Sequence, residues 1–187
     1  AGIQADIKAM SANGVFAMSV ITAITAQNTM GVFGIEDISP EMIKSQIKAI
    51  FDDIKVDAIK IGMVSKIESI KAISEGLREI KDLPPLVLDP VMVSTSGYKL
   101  LSNDAKETLI KELFPLATLI TPNLPEVEEI LGIKVEDMEE MKEAAKELKK
   151  LGAKYVLIKG GHLKNDATDL LFDGCLLYTS DAADELD

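Results

Sequence analysis

Short apolar runs alternate with amphipathic stretches along most of this chain. The apolar runs lie at residues 58–63, 86–93, 119–120 and 155–159. Between them, apolar residues recur at helical spacing, as in residues 40–54, where Ser-Pro-Glu marks the helix start. Strands and helices in alternation, joined by short connections, predict a mostly parallel sheet with helices on both faces. The predicted fold class is therefore a three-layer α/β/α fold.

Two stretches near the start of the chain add to this pattern. Residues 18–28 are rich in Val, Ile and Thr, and this composition predicts a buried strand. Residues 29–39 hold Gly31, Gly34 and Asp37, which predict an irregular excursion from the end of that strand.

Composition limits the classes of partner. The chain has 187 residues, enough for one domain, and a net charge of −11, which argues against a nucleic-acid or anionic-membrane surface. A single cysteine excludes an internal disulfide framework and favours a reducing, cytoplasmic location. No apolar run reaches the length of a membrane span.

Polar side chains stand at the ends of three predicted strands. Asp89, Asn123 and Lys159 each follow a short apolar run, and Glu126 lies in the helix start after Asn123. Carboxyl ends of parallel strands meet at one sheet edge, where helix N-termini favour anions. An acid, an amide and a base there are suited to a metal and a polyphosphate. The competing interpretation is ordinary turn and strand-end chemistry, with Glu126 complementing the helix dipole.

Other candidates carry weaker signals. Gln27 either pairs with a heterocycle or binds loop backbone, and Met63 either lines an apolar pocket or packs in the core. His162 is the only histidine, so a histidine-based triad or metal cluster lacks partners. Cys175 has no basic neighbour in sequence and is not proposed as a nucleophile. The sequence has neither a Walker A motif nor G-x-G-x-x-G.

Several motifs, taken in order, resemble the hydroxymethylpyrimidine/phosphomethylpyrimidine kinases of thiamine biosynthesis, which belong to the ribokinase-like superfamily. The matching segments are AGIQAD (1–6), SVITA (19–23), AQNT (26–29), KIGM (60–63), LDPVM (88–92), TPNLPE (121–126) and KGGH (159–162). The resemblance implies ATP- and Mg²⁺-dependent phosphorylation of a hydroxymethyl group on a pyrimidine, followed by phosphorylation of the monophosphate.

The resemblance also implies roles for particular residues. Gln27 would bind the pyrimidine ring. The residues implied to lie near the ring are Ala1, Gly2, Asp6, Met63 and Val91. On the nucleotide side, Asn123 and Glu126 match the Asn-x-x-Glu motif that organises Mg²⁺ and phosphate, and Asp89 and Lys159 lie toward the polyphosphate.

The sequence departs from the family at both ends. The family's first strand, which precedes the Ala-Gly pair, and its later Gly-Thr-Gly-Cys (or Gly-Thr-Gly-Asp) loop have no counterpart here. Residues 1–174 are therefore interpreted as an incomplete kinase domain, and residues 175–187 as a foreign tail resembling translated adapter sequence. We expect an intact parent that includes this loop to be active, and this chain to be nearly inactive.

Three rival interpretations stay open. Pyridoxal or pyridoxine kinases belong to the same superfamily, and Gln27 with its Ala-Gln-Asn-Thr context favours the pyrimidine. A phospho-acceptor receiver domain also has an acid and a lysine at strand ends, but needs an acidic pair that residues 26–28 do not offer. A non-catalytic pyrimidine-binding regulator is the third. The family resemblance further implies a homodimer when the protein is intact.

Overall fold

A computed structural model describes residues 2–28, 30–92, 101–161, 168–175 and 177–181. Ala1 and His162 lie outside these ranges. The elements in chain order are α1 (Ile3–Ala12), β1 (Ala23–Asn28), β2 (Gly31–Asp37), α2 (Pro40–Asp53), β3 (Ile59–Ile61), α3 (Ile67–Arg78), β4 (Leu86–Leu88), α4 (Asn103–Leu113), β5 (Leu119–Ile120), α5 (Leu124–Leu131), α6 (Met138–Lys149), β6 (Tyr155–Ile158), β7 (Thr168–Phe172) and β8 (Leu177–Asp181).

The main sheet has six strands in the order β3-β4-β5-β6-β7-β8. The first four strands are parallel, and β7 and β8 continue the sheet antiparallel. Helices α3, α4 and the pair α5–α6 connect the successive parallel strands, as parallel pairing requires. The prediction of an α/β fold with a mostly parallel sheet is confirmed.

Burial alternates along the strands. Leu88, Ile120, Val156 and Ile158 point to one face and are fully buried, whereas the residues between them are half-buried. The helices complete this core with Ile70, Leu109, Met141 and Leu148, which are also shielded from solvent. Apolar burial on this scale supplies the main driving force for folding.

The polar strand-end residues share the other face of the sheet. Lys60 pairs in register with Val87, and Leu88 pairs with Ile120, so alternation places Lys60 and Asp89 on the half-buried face. The same alternation along β6 places Lys159 there. Three polar side chains from separate strands thus lie on the same face of the sheet.

The prediction of one buried strand over residues 18–28 is wrong. Only Ala23–Asn28 forms a strand, and it pairs antiparallel with β2 in a separate two-stranded sheet whose side chains are almost all exposed. Residues 29–39, predicted as an irregular excursion, contain the second strand of this hairpin. An apolar run specifies extended backbone, but nothing in the described residues covers either face of the hairpin.

The segment interpreted as a foreign tail contains a strand. Residues 177–181 form β8, which pairs antiparallel with β7 from Phe172–Leu177 to Thr168–Asp181. Backbone pairing does not depend on the origin of a sequence, so the domain boundary at residue 174 stays a prediction.

Candidate functional site

The turn between β5 and α5 anchors the site. Asn123 is the N-cap of α5: its Oδ1 accepts a hydrogen bond from the Glu126 backbone N–H at 2.9 Å, and Glu126 Oε2 accepts one from the Asn123 N–H at 2.8 Å. This reciprocal capping box, with Pro125 in the first turn, fixes the helix start. The predicted strand, turn and helix N-terminus over residues 119–131 is confirmed.

Lys159 and Asp89 meet beside this turn. Lys159 Nζ lies 3.1 Å from Asp89 Oδ1, and the Thr121 hydroxyl donates to the same oxygen at 3.3 Å. The Lys159 backbone N–H donates to the Pro122 carbonyl at 2.9 Å, so β6 holds Lys159 against the turn that carries Asn123. The four residues predicted for the nucleotide side are therefore brought together.

Glu126 is the buried member of this cluster. Its side chain is 2% exposed, and its carboxylate accepts hydrogen bonds from the backbones of Asn123 and Met92. Burial raises the pKa of the Glu126 carboxyl, although the Asn123 hydrogen bond and the Lys159 charge act in the opposite direction. Glu126 thus ties the helix start to the loop after β4, and its oxygens are engaged by backbone rather than directed at solvent.

We expect Glu126→Gln to lower the free energy of unfolding by about 1–3 kcal/mol, because an amide NH₂ would face a backbone N–H that now has an acceptor. Because the pKa of Glu126 is raised in the folded state, the pH-dependent part of its contribution to stability is fully present below the ordinary carboxyl pKa of 4.5. That part is lost as the pH rises through the raised pKa of the folded state. The gap between the parent and the variant in urea unfolding should therefore narrow with rising pH.

The matched control is Glu128→Gln, an exposed position on the same helix. We expect this variant to stay within about 0.5 kcal/mol of the parent. A gap for Glu126→Gln that widens with pH would contradict the assigned direction of the pKa shift.

Three of the residues predicted for the acceptor side lie around β3 and the end of β4. Asp6 forms an ion pair with Lys60 of β3 at 2.9 Å. Met63 follows β3 and is 43% exposed, and the Val91 N–H donates to the Asp89 carbonyl at 2.8 Å, which places Val91 next to the nucleotide side.

The remaining acceptor-side residues are less closely connected. Gly2 is the N-cap of α1, with a φ of 76° that favours glycine. Gln27 is exposed on β1, and the structure gives it no hydrogen bond to the other candidates. Ala1 lies outside the described residues, so its predicted position near the ring stays a prediction.

Three residues near the site were not singled out from the sequence. Thr121 donates to Asp89, Lys60 pairs with Asp6, and the Asp169 carboxylate accepts a hydrogen bond from the Gly160 N–H at 2.9 Å. Thr121 and Lys60 lie inside the family-like motifs TPNLPE (121–126) and KIGM (60–63), and those motifs could have indicated them. Asp169 had none, because it reaches Gly160 across the loop between β6 and β7.

Among the described residues, no group of three or more His, Cys, Asp or Glu side chains is arranged to hold a metal ion. None of the helices in the described segments combines the length and apolar character needed to cross a bilayer.

Most of this chain matches a known protein family. A family model described as phosphomethylpyrimidine kinase matches residues 1–184. A hydroxymethylpyrimidine/phosphomethylpyrimidine kinase of Rhizobium meliloti is 53% identical over 176 residues, which cover 93% of this chain and 65% of that protein. The chain therefore spans less than two thirds of the length of that relative.

Solved structures share the fold. The crystal structure of phosphomethylpyrimidine kinase from Clostridium difficile has 54% identity and a TM-score of 0.91, covering 97% of this chain and 78% of that one. A pyridoxal kinase from Staphylococcus aureus in complex with AMP-PCP has 34% identity and a TM-score of 0.84, covering 99% of this chain and 68% of that one.

The sheet, its helical crossovers and the polar cluster at its carboxyl edge define a ribokinase-like α/β protein. Structural neighbours of this class include kinases for more than one ring system. Within the class, the chain belongs to the phosphomethylpyrimidine kinase family.

Proposed function

We propose that the protein is an ATP-dependent kinase for 4-amino-5-hydroxymethyl-2-methylpyrimidine and its monophosphate, in thiamine diphosphate biosynthesis. The observation that carries this proposal is the contact of Lys159 with Asp89 beside the capped start of α5, at the ligand-binding edge of a fold with this family membership. Phosphoryl transfer depends mainly on positioning and on neutralising charge, which this cluster is suited to provide.

On the nucleotide side, Lys159 would neutralise phosphate charge, and the positive end of the α5 dipole would favour the anion. Mg²⁺ is commonly bound through one or two carboxylates together with substrate phosphates and water. Asp89, which is half-buried and hydrogen-bonded, fits that donor chemistry. Asn123 and Glu126 would act on the metal indirectly, because their oxygens already accept backbone N–H groups.

On the acceptor side, Gln27 would recognise the pyrimidine through its amide. Gly2, Asp6, Met63, Val91 and Ala1 would surround the ring, as the family resemblance implies. We assign no catalytic residue, since the sequence contains no Gly-Thr-Gly-Cys or Gly-Thr-Gly-Asp motif. Ligand binding, rather than turnover, is therefore the property of this chain that tests the proposed function.

Calorimetric titration of hydroxymethylpyrimidine into the 187-residue chain tests the acceptor assignment. We expect Gln27→Ala to weaken binding at least about tenfold, because the ring loses a hydrogen-bonding partner. The control is Thr25→Ala, an exposed position on the same strand, which should bind like the parent. Equal affinity of Gln27→Ala and the parent would remove Gln27 from the site, and absence of binding by the folded parent would contradict the proposed function.

Pyridoxal phosphorylation is the second candidate function, favoured by the likeness to the Staphylococcus aureus pyridoxal kinase. The same titration with pyridoxal separates the two. Tighter binding of pyridoxal than of hydroxymethylpyrimidine would reverse the order of the two proposals.

A homodimer and a cytoplasmic location stay predictions. Exposed apolar side chains on the β1–β2 hairpin, among them Ile24, Val32, Phe33 and Ile35, favour self-association. Sedimentation velocity measures this directly.

A further inference from the structure

Helix α1 has few contacts that fix its position. None of its residues is buried, and Ile7, on its apolar side, is 37% exposed. A ten-residue helix is marginally stable in water without tertiary support. Among the described residues, the ion pair between Asp6 and Lys60 is the one polar contact that joins α1 to a later element.

This ion pair has favourable geometry. Lys60 Nζ lies 2.9 Å from both carboxylate oxygens of Asp6, and the two side chains are 30% and 34% exposed. The pair between Lys44 and Glu75, which joins α2 to α3, is more exposed at 40% and 58%. Solvent therefore screens the Asp6–Lys60 pair less than it screens a fully exposed pair.

Gly62 leaves room for the Lys60 ammonium. A Cβ at position 62 would lie 2.9 Å from Lys60 Nζ, whereas the backbone of Gly62 is not in the left-handed region that favours glycine. The Lys60 ammonium therefore lies over Gly62, the first residue after β3, and Met63 follows in the same loop.

We propose that Lys60 is a positioning residue for the acceptor site: through Asp6 it seats α1 on the carboxyl end of β3, with Gly62 providing the space. This inference rests on the proposed function, because it assumes that Asp6, Gly2 and Met63 lie around the pyrimidine. Lys60 need not touch the ring. Loss of the pair would free α1 from β3 and would weaken acceptor binding, while the nucleotide side on β4 to β6 would be unaffected.

Calorimetric titration with two ligands tests this assignment in the 187-residue chain. We expect Lys60→Met to weaken hydroxymethylpyrimidine binding about tenfold, in line with the loss of one partly buried ion pair, and to leave AMP-PCP affinity within about twofold. Lys60→Arg should restore most of the pyrimidine affinity, because it keeps the charge. Lys44→Met, which removes an ion pair between helices elsewhere, should leave both affinities unchanged.

Gly62→Ala provides a second measurement that keeps both charges. The added methyl group would lie 2.9 Å from Lys60 Nζ, so the ammonium must shift relative to Asp6, and pyrimidine affinity should fall, by less than in Lys60→Met. Pyrimidine affinity within twofold of the parent in both folded variants would overturn the inference and leave the proposed function intact. Failure of the folded parent to bind pyrimidine would overturn both.

Discussion

We expect Gly160→Ala to unfold at a markedly lower urea concentration than the parent chain. Gly160 is buried directly after β6, where a Cβ would overlap the carbonyl oxygen of Thr168 and lie 2.6 Å from its carbonyl carbon. These atoms are backbone atoms of β7 and cannot rotate away. The Gly160 N–H also donates to Asp169 at 2.9 Å, so a shift of β7 breaks that bond as well.

The expected loss in the free energy of unfolding is about 3 kcal/mol, the upper end of the range for overpacking a filled interior. Gly161→Ala is the matched control, because a Cβ there meets no atom of the described residues within 4 Å and Gly161 is exposed. That variant should stay within about 0.5 kcal/mol of the parent. Coincident urea transitions for the two alanine variants would show that β7 does not approach Gly160 this closely in solution.

The elements that the sequence predicts well are those whose signals are local. The turn over residues 119–131 combines a short apolar run, a cap residue and a proline in the first helical turn, and each of these acts within a few residues. The meeting of Asp89 and Lys159 also follows from the sequence, because parallel strands bring their carboxyl ends to one edge. Local capping chemistry and the topology rule together were enough to predict that these polar residues lie close together.

The β1–β2 hairpin could not be predicted in the same way. Its apolar residues read as a buried strand, but burial depends on what packs against a strand and not on the strand's own composition. Val32, Phe33 and Ile35 are 50%, 72% and 59% exposed in the described structure. An apolar strand in the core and one on an exposed hairpin have the same local pattern.

Polar contacts between residues distant in sequence also could not be predicted. Lys60 and Asp6 are separated by 54 positions, and nothing in the sequence around either residue indicates that the two form a pair. Thr121 looked like an ordinary turn residue, although its hydroxyl donates to Asp89 from the neighbouring strand. Such contacts are set by strand register, which the sequence specifies only through the completed fold.

We expect Lys159→Met to weaken AMP-PCP binding about a hundredfold. The polyphosphate would lose a charge-assisted hydrogen bond, which contributes about 1.5–3 kcal/mol. In addition, Asp89 would lose the cation that lies 3.1 Å from it, and its unpaired carboxylate would repel the incoming phosphates. Calorimetry with the folded 187-residue chain measures the affinity directly.

Two further variants separate these causes. Lys154→Met removes the same charge from the start of β6, where Lys154 lies 5.0 Å from the centre of the Tyr155 ring, and should leave AMP-PCP affinity unchanged. Asp89→Asn combined with Lys159→Met, titrated without Mg²⁺, should bind AMP-PCP more tightly than Lys159→Met alone, because the unpaired carboxylate is gone. If Lys154→Met and Lys159→Met weakened AMP-PCP binding equally, the effect would arise from net charge alone, and Lys159 would be excluded from the nucleotide site.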